Sequence, residues 1–460
     1  MSQTGKINPA NTTFILLSFE GPDGYSTAGG LGVRIAGLSR ALAASGFRTH
    51  VVFVGDPHAR PTEVSSRGRL VLHRWCQWIS KYYPGGVYQG EETKLYDFNQ
   101  SAPPFVVEHL ARPAIEAGQL VVIMAEEWHT AEATCRISDL LHEDGRRSRA
   151  LLFWNANNTM GFERINWGRL GYVSAITTVS RYMKHLMWRR GVNPLVIPNG
   201  IPRRLLQGAD EREVARLRRS LQKAVVLSKV GRWDPDKRWL MAVETVADLK
   251  ARGHDTVLLA LGGVEPHQGE VLDRARGLGL LVRDVAMSRP SLADCVRAFG
   301  EAARADVLNV KSFMPLPLLR LLFKASDAVL ANSGHEPFGL VGLEAMASGA
   351  VVMTGGTGED YAIHLENGIV LETADPAEAS WYVRFLKEHP EVSARIGAAA
   401  RRTARRFLWD RVVENLLGKV EFLAARQGAL PAEPAPAELD AAGVEPAPAE
   451  ARSALAAVEA

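Results

Sequence analysis

The chain has 460 residues, of which 47% are hydrophobic and 23% charged, and its formal net charge at pH 7 is +3. These proportions are typical of a soluble globular protein, and so small a net charge gives no sign of a nucleic-acid partner. The length exceeds what one hydrophobic core usually holds, which predicts two domains. The three cysteines lie far apart, and their number and spacing predict neither a disulfide framework nor a zinc site.

The two ends of the chain are predicted to lie outside the folded domains. Residues 1–12 are polar and lack the apolar centre of a secretory signal, and no apolar run in the chain is long enough to span a bilayer. We therefore expect a flexible N-terminus and a cytoplasmic protein. Residues 427–460 are rich in Ala, Pro and Glu, a composition that buries too little apolar surface to offset ordering entropy, and we predict a disordered tail there.

The first half of the chain alternates short apolar runs with longer amphipathic segments. The first run, TFILLSF, begins at Thr13, and a helical pattern follows it from Leu31 to Ala44. The alternation continues through the runs THVVFVG, LVVIMAE, ALLFWNA and AITTVS. Buried parallel strands with crossover helices have this pattern, which predicts a doubly wound α/β domain over residues 13–200.

A punctuated stretch, VIPNGIPRR, separates the two halves at Val196 to Arg204. The alternation then resumes with AVVLSKVG, TVLLALGG, AVLAN and AVVMTGG, which predicts a second α/β domain over residues 201–400. Two open α/β sheets in one chain predict a ligand held between the domains, at the carboxyl ends of the strands.

The stretch SGHEPFGLVGLEAMASG places two glutamates, Glu336 and Glu344, in an otherwise apolar segment. Glu344 lies on a predicted helix with no cation three or four residues away, so if it is buried its partner comes from elsewhere in the fold or from a ligand hydroxyl. The alternative is that it is exposed or pairs with a distant arginine. Glu336 lies in the loop that enters this helix. The helix start supplies free backbone amides, a ready phosphate site, at Phe338, Gly339, Leu340 and Val341.

Two further stretches carry residues suited to a phosphorylated ligand. In LSKVGRWDPDKRW, a predicted strand ends near Arg232 and the next helix begins at Lys237, so two cations lie at a strand's carboxyl edge. A surface ion pair with a neighbouring aspartate is the alternative. In STAGGLGVR, the glycines allow close backbone approach to phosphate or sugar, although the spacing differs from G-x-G-x-x-G and a simple tight turn is the alternative.

Together these stretches resemble the retaining glycosyltransferases of the GT-B type, close to family 4 and the glycogen synthases. The most specific element is the E-x7-E motif in HEPFGLVGLEAMASG, with GRWDPDK upstream and looser matches in EEWHTA and VIPNGI. The resemblance covers nearly the whole chain up to about Arg426. It implies two Rossmann-like domains that face each other across a cleft, the first binding acceptor and the second binding donor. It also implies that residues 401–426 form a helix returning to the first domain.

The resemblance assigns expected roles to individual residues. Glu336 would contact the donor sugar while Arg232 and Lys237 clamp the diphosphate, and these three are the expected catalytic residues. Glu344 would hold the ribose hydroxyls. The other expected donor contacts are Gly29, Gly30, Gly32, Phe338, Gly339, Leu340 and Val341. No metal and no cofactor are expected beyond the nucleotide sugar itself as a co-substrate.

The chain departs from the glycogen synthases at two places. Their lysine before the glycine pair is replaced by Ser26 or Thr27, and their sugar-binding histidine is replaced by Trp154 or Asn155 in WNANNTMGF. These departures argue against polyglucan synthesis from ADP-glucose and favour a different acceptor. The expected acceptor or sugar contacts are Asn155, Asn157, Asn158 and Glu127.

The expected activity is transfer of a sugar from a nucleoside diphosphate sugar to a hydroxyl of a glycan, polysaccharide or small molecule. Glucan elongation, nucleotide-sugar epimerisation and non-catalytic nucleotide-sugar sensing remain alternatives. No nucleic-acid partner is expected. Two basic segments, RYMKHLMWRRG and RRTARRFLWDR, leave peripheral membrane contact open, although amphipathic helices with solvated faces have the same pattern. The sequence names neither donor base, sugar, acceptor nor oligomeric state.

Overall fold

The computed structural model describes residues 6–430. Residues 1–5 and 431–460, on which part of the predicted flexible N-terminus and most of the predicted tail fall, lie outside that range. Within it, no helix is both long and apolar enough to cross a membrane.

The first sheet has eight strands in the order β3-β4-β2-β1-β5-β6-β7-β8, all parallel except for the β3–β4 pair. Its central strands are buried along their whole length because helices cover both faces. The strands are β1 (Thr12–Ser18), β2 (Arg48–Val54), β3 (Thr62–Ser65), β4 (Leu70–Trp75), β5 (Leu120–Glu126), β6 (Ala150–Ala156), β7 (Ala175–Thr178) and β8 (Leu195–Val196). The helices are α1 (Gly30–Ala44), α2 (Gln77–Ser80), α3 (Glu91–Phe105), α4 (Arg112–Glu116), α5 (Ala131–Glu143), α6 (Trp167–Val173) and α7 (Arg181–Trp188).

The second sheet has seven parallel strands in the order β11-β12-β10-β9-β13-β14-β15. The strands are β9 (Val225–Val230), β10 (Thr256–Leu261), β11 (Val282–Val285), β12 (Val307–Val310), β13 (Ala328–Ala331), β14 (Val352–Thr354) and β15 (Ile369–Val370). The helices are α8 (Glu211–Leu221), α9 (Trp239–Ala251), α10 (His267–Gly277), α11 (Leu292–Glu301), α12 (Leu316–Ala325), α13 (Leu340–Ala347), α14 (Pro376–Glu388) and α15 (Pro390–Ala404). The predicted pair of doubly wound α/β domains is confirmed.

The last helix, α16 (Trp409–Gln427), leaves the second domain and packs on α1 of the first. Its apolar residues Leu416 and Val420 are fully buried in the same cluster as Ile35 and Leu38 of α1. The indole of Trp409 lies against Gly37 and Gly200, where a Cβ would come within 2.3 and 2.4 Å of the ring. The exact domain limits drawn from the sequence remain our proposal.

The carboxyl edges of the two sheets face each other. Arg181 follows β7 at the carboxyl edge of the first sheet, and Asp360 follows β14 at the same edge of the second. The backbone amide of Arg181 donates to Asp360 Oδ2 at 3.0 Å, and its guanidinium donates to the Glu359 carbonyl at 2.6 Å. Ligands of open α/β sheets bind at this edge, where the strand order reverses.

Candidate active site

In the second sheet the strand order reverses between β9 and β13, and both cationic and acidic motifs lie there. The loop after β9 carries Arg232 and Lys237, and the loop after β13 carries Glu336 before α13 begins at Leu340. These residues are distant in sequence, and the fold brings their loops to one edge because parallel strands end at the same side of a sheet.

Lys237 and Glu336 form an ion pair, with Nζ and Oε1 2.6 Å apart. The second oxygen of Glu336 accepts a hydrogen bond from the hydroxyl of Ser333 at 2.8 Å. Both side chains keep about a fifth to a quarter of their surface exposed, 21% for Lys237 and 25% for Glu336. The pair is therefore held in position and remains reachable by a ligand.

Glu344 has a different environment. It is half-buried on α13, and across residues 6–430 its carboxylate forms neither a hydrogen bond nor an ion pair with another protein group. Burial raises its pKa to about 7. A carboxylate that is desolvated and has no protein partner is suited to accept hydrogen bonds from ligand hydroxyls.

The start of α13 leaves backbone donors free. Gly339 has a φ of +80°, a conformation that favours glycine, and it turns the chain into the helix. In the described part of the chain, the amides of Phe338 to Val341 make no hydrogen bond outside the helix. The Phe338 ring itself is buried against Tyr361 and Phe407, so only the backbone of Phe338 is offered to a ligand.

Arg232 is exposed, and among the described residues its guanidinium has no ion-pair partner. The expected alternative, a surface pair with Asp234 or Asp236, is not present there. Lys229 lies in β9, three residues before Arg232. Its ammonium group is buried, donates to Asn332 Oδ1 at 2.5 Å and the Leu330 carbonyl at 3.2 Å, and lies over the Trp239 ring. Burial, aided by Lys237, lowers the pKa of Lys229 to about 7.

The glycine loop of the first domain is occupied by an internal carboxylate that the sequence did not reveal. Glu20, just after β1, accepts hydrogen bonds on one oxygen from the amides of Ala28, Gly29 and Gly32, each at 3.0 Å. Its other oxygen accepts from the Tyr88 hydroxyl at 2.6 Å. The amides of Gly29 and Gly32 are thus not free for a donor phosphate, and Gly30 alone keeps its expected role.

A buried charged network lies in the first domain, which the resemblance predicts to bind the acceptor. Arg34 of α1 pairs with Glu126 at 3.1 Å, and neither side chain is exposed. Arg34 also donates to Asn199 Oδ1 at 3.0 Å, which ties this network to the segment between the domains. Glu126 accepts hydrogen bonds from the side-chain amide groups of Asn155 and Asn157, each at 2.7 Å.

The predicted acceptor contacts differ in their accessibility. Asn155 is 1% exposed and its side-chain carbonyl accepts from Thr177, so both its polar atoms are used and we remove it from the acceptor contacts. Trp154 is fully buried with its indole N–H donating to the Glu127 carbonyl, so it does not replace a sugar-binding histidine. Asn157 and Asn158 are half-buried and stay candidates.

Glu127 is buried, and its Oε1 accepts the amides of Asn157 at 2.6 Å and Asn158 at 3.1 Å. Burial raises the pKa of Glu127 to about 8. Its φ of +69°, rare for a residue with a side chain, holds it at the end of β5. Such strain is common at functional sites, and Glu127 stays a candidate for acceptor binding.

No cluster of three or more His, Cys, Asp or Glu side chains in the described range has the arrangement needed to hold a metal ion.

Comparison with known proteins also indicates a glycosyltransferase. Residues 294–403, which include the E-x7-E motif, match the family "Glycosyl transferases group 1". A D-inositol 3-phosphate glycosyltransferase of Geodermatophilus obscurus is 28% identical over 54% of this chain and 53% of its own length, so the match spans about half of that relative. The corresponding protein of Stackebrandtia nassauensis is 23% identical over 89% of this chain and 90% of its own.

The fold matches a solved structure along nearly its whole length. The catalytic domain of starch synthase IV from Arabidopsis thaliana, bound to ADP and acarbose, superimposes with a TM-score of 0.65 at 16% identity, covering 90% of this chain and 99% of that one. The two facing Rossmann-like domains are therefore the GT-B fold. By its motif, by the match over residues 294–403 and by its GT-B fold, the chain is similar to the group 1 glycosyl transferases.

Proposed function

We propose that the protein transfers a sugar from a nucleoside diphosphate sugar to an acceptor hydroxyl, with retention of configuration at the anomeric carbon. The observation that carries the proposal is the Lys237–Glu336 pair, 2.6 Å long, at the same sheet edge as the unpartnered Glu344. The ADP bound to the starch synthase of similar fold supports a nucleoside diphosphate as the donor's leaving group. The acceptor is a glycan, a polysaccharide or a small molecule.

The second domain has the charges that such a donor needs. Arg232, Lys237 and the amides at the start of α13 provide positive charge and N–H donors for the two phosphates. As the bond between sugar and β-phosphate lengthens, negative charge grows on the leaving oxygen, and donors already in place stabilise it without reorganising. Glu344 would hold the ribose hydroxyls, and Glu336 would orient the sugar rather than attack it.

No protein base is needed in this mechanism. The diphosphate leaves from one face of the sugar ring, and the acceptor hydroxyl attacks the anomeric carbon on the same face. The leaving phosphate oxygen accepts the proton of that hydroxyl. Because fixed cations and helix amides neutralise the phosphates, we expect the rate to be unchanged in EDTA. A strong loss of rate in EDTA would contradict this part of the proposal.

The first experiment measures release of nucleoside diphosphate from UDP-glucose and ADP-glucose with a panel of acceptors. Lys237→Met removes one phosphate contact and breaks the pair with Glu336, so we expect kcat to fall by roughly 10²-fold or more. Lys387→Met is the matched control, because Lys387 is half-exposed and pairs with Asp327 at 3.3 Å at the amino end of β13, away from the site.

The outcomes separate the proposal from its alternatives. Equal loss of activity in both variants would contradict a role for Lys237. Conversion of the donor without any acceptor would indicate an epimerase, and donor binding without turnover would indicate a sensor. Preferential extension of a glucan would indicate a synthase of the starch or glycogen type.

A further inference from the structure

Five backbone donors at the cleft edge of the first domain are already bound to carboxyl groups of the protein. Glu20 takes the amides of Ala28, Gly29 and Gly32. Glu127 takes the amides of Asn157 and Asn158. These groups flank the point where the strand order of the first sheet reverses, between β1 and β5. Backbone amides at this position commonly bind a phosphate, and here five of them are occupied.

Further acidic and aromatic groups join the two glutamates. Tyr88 donates to Glu20 at 2.6 Å, and its ring lies 5.8 Å from that of His129. His129 Nε2 lies 2.7 Å from an oxygen of Glu91, at the start of α3. The acceptor face is defined here as Glu20, Tyr88, Glu91, Glu127 and His129, and it carries three carboxyl groups. Tyr88 and Glu91 are its accessible members, with 40% of Tyr88 and 33% of the Glu91 side chain exposed, whereas the other three are at most 4% exposed.

Four cations near this face are engaged with other groups of the protein. Arg34 is sequestered with Glu126, and Arg74 pairs with Asp23 at 2.8 Å. Lys94 is buried and donates to the Tyr25 hydroxyl and to two backbone carbonyls. Arg164 forms an ion pair with Glu92 at 2.7 Å. The exposed cations of the neighbouring loops are Arg60 and Lys81, and neither makes a hydrogen bond to the acceptor face within residues 6–430.

We propose that the acceptor of this enzyme is a polyol without a phosphate or carboxylate group, recognised by the acceptor face through its hydroxyls. This inference rests on the proposed transfer reaction and specifies its second substrate. An anionic acceptor would lose its hydration, find neither a cation within the acceptor face nor a free cluster of amides there, and meet carboxyl groups instead, which is unfavourable at short range. A neutral polyol supplies hydroxyl groups that both donate to and accept from carboxyl, phenol and amide groups.

The test uses the full-length protein and begins with binding of UDP and ADP by calorimetry. Failure of both to bind would contradict the proposed transfer reaction itself, and the inference with it. The protein loaded with the nucleotide that binds is then titrated with glucose 6-phosphate and with D-inositol 3-phosphate. We expect no saturable binding of either phosphorylated probe up to about 10 mM.

Turnover gives a second measurement, in which each phosphorylated probe is paired with its phosphate-free counterpart. Nucleotide release is compared for glucose against glucose 6-phosphate and for myo-inositol against D-inositol 3-phosphate. In a pair that turns over, we expect the phosphate-free member to have a kcat/KM at least about tenfold higher. Saturable binding of a phosphorylated probe, or faster release with it than with its partner, would overturn the inference.

A charge-reversal variant tests the electrostatic cause. Glu91→Lys places a cation beside His129, and we expect saturable binding of the phosphorylated probes to appear below about 10 mM, with nucleotide affinity unchanged. Glu116→Lys is the matched control, since Glu116 ends α4 at the amino side of the sheet and is 55% exposed. Equal behaviour of the two variants would contradict exclusion by the acceptor face.

Discussion

Glu336 and Glu344 belong to one short motif, yet their carboxylates have different surroundings. Glu336 is bound by Lys237 and Ser333, whereas Glu344 has no partner in the described part of the chain. Burial raises the pKa of Glu344 to about 7, so the free protein holds a mixture of the two protonation states near neutral pH. With the ribose contact proposed for Glu344, donor binding and proton release are coupled at this residue.

We expect donor affinity to depend on pH through Glu344. Ribose hydroxyls donate to the ionised carboxylate, so binding favours loss of the proton, and affinity is complete only above the pKa of about 7. Below it, affinity falls by up to about tenfold per pH unit. Calorimetry with UDP-glucose at pH 6, 7 and 8 measures this, because the diphosphate of that ligand does not titrate in the range. Glu344→Gln should bind more weakly and show no such slope. The same slope in the variant would assign it to another group.

At this scale the sequence predicted the residues at the cleft edge of the second domain better than those of the first, while their roles stay predictions. Glu336, Glu344, Arg232 and Lys237 lie in short motifs whose spacing is visible in one chain, and the fold brings them to one edge. Glu20 was missed, because its partners are backbone amides and a tyrosine that lies 68 positions away. A buried carboxylate that binds backbone leaves no pattern of charges in the sequence.

Asn155 is the converse case, a residue that was predicted to contact a ligand but is buried. The comparison of WNANNTMGF with the glycogen synthases predicted Asn155 as an acceptor or sugar contact, but its side chain points to Glu126 and Thr177 inside the domain. Two charged residues in apolar surroundings are the signal that the sequence offers for this buried ion pair. Glu126 ends an apolar strand, and Arg34 lies on the mostly apolar face of α1.

Among the elements, the strands that the sequence predicted are those with long apolar runs. β1, β2, β5, β6 and β7 of the first sheet each follow from such a run, because a parallel strand buried on both faces needs apolar side chains throughout. The strands without a prediction are β3, β4 and β8 in the first sheet and β11, β12 and β15 in the second. Most are short or lie at a sheet edge, and β4 includes a histidine and an arginine within its apolar run.

The helix α16 belongs by its packing to the first domain, although it follows the second in sequence. We expect Leu416→Ala to destabilise the first domain by about 2–5 kcal/mol, because it leaves a cavity beneath a fully buried side chain. Hydrogen exchange should become faster in β1 and β5 and stay unchanged in β9 and β10, which identifies the affected domain.

The matched control for Leu416 is on the same helix. Phe422 is 59% exposed, and Phe422→Ala also removes a large apolar side chain. Its effect on unfolding should stay within about 0.5 kcal/mol. If Leu416→Ala accelerated exchange equally in both sheets, α16 would stabilise the molecule as a whole rather than the first domain.

At the scale of the whole molecule, the two domains meet through contacts of opposite character. The segment between them is held firmly: the Ile201 amide donates to the Phe407 carbonyl at 2.8 Å, and Arg34 binds Asn199 from within the first domain. The contact between the facing edges is small and polar, with Arg181 donating to Asp360 and Glu359. A firm hinge with a weak facing contact permits closure over a bound donor.

We expect Arg181→Ala to shift the free protein toward more open arrangements. The variant loses the guanidinium bonds to Asp360 Oδ1 at 3.3 Å and to the Glu359 carbonyl at 2.6 Å, while the backbone bond to Asp360 remains. Because the side chain is 56% exposed, the energetic effect is modest, about 0.5–1 kcal/mol. Small-angle X-ray scattering should show a larger radius of gyration, and donor hydrolysis should increase relative to transfer because a more open cleft admits water.

The control for Arg181 is Arg276→Ala, which breaks an exposed ion pair with Asp273 inside α10 and cannot alter the domain arrangement. Its radius of gyration and its ratio of hydrolysis to transfer should equal those of the wild type. Asp360→Asn provides the second half of a double-mutant cycle, and its effect should not add to that of Arg181→Ala, since both remove one contact. Full additivity, or an unchanged radius of gyration in Arg181→Ala, would mean that this contact does not determine how far the cleft opens, and closure would then depend on the hinge and the donor alone.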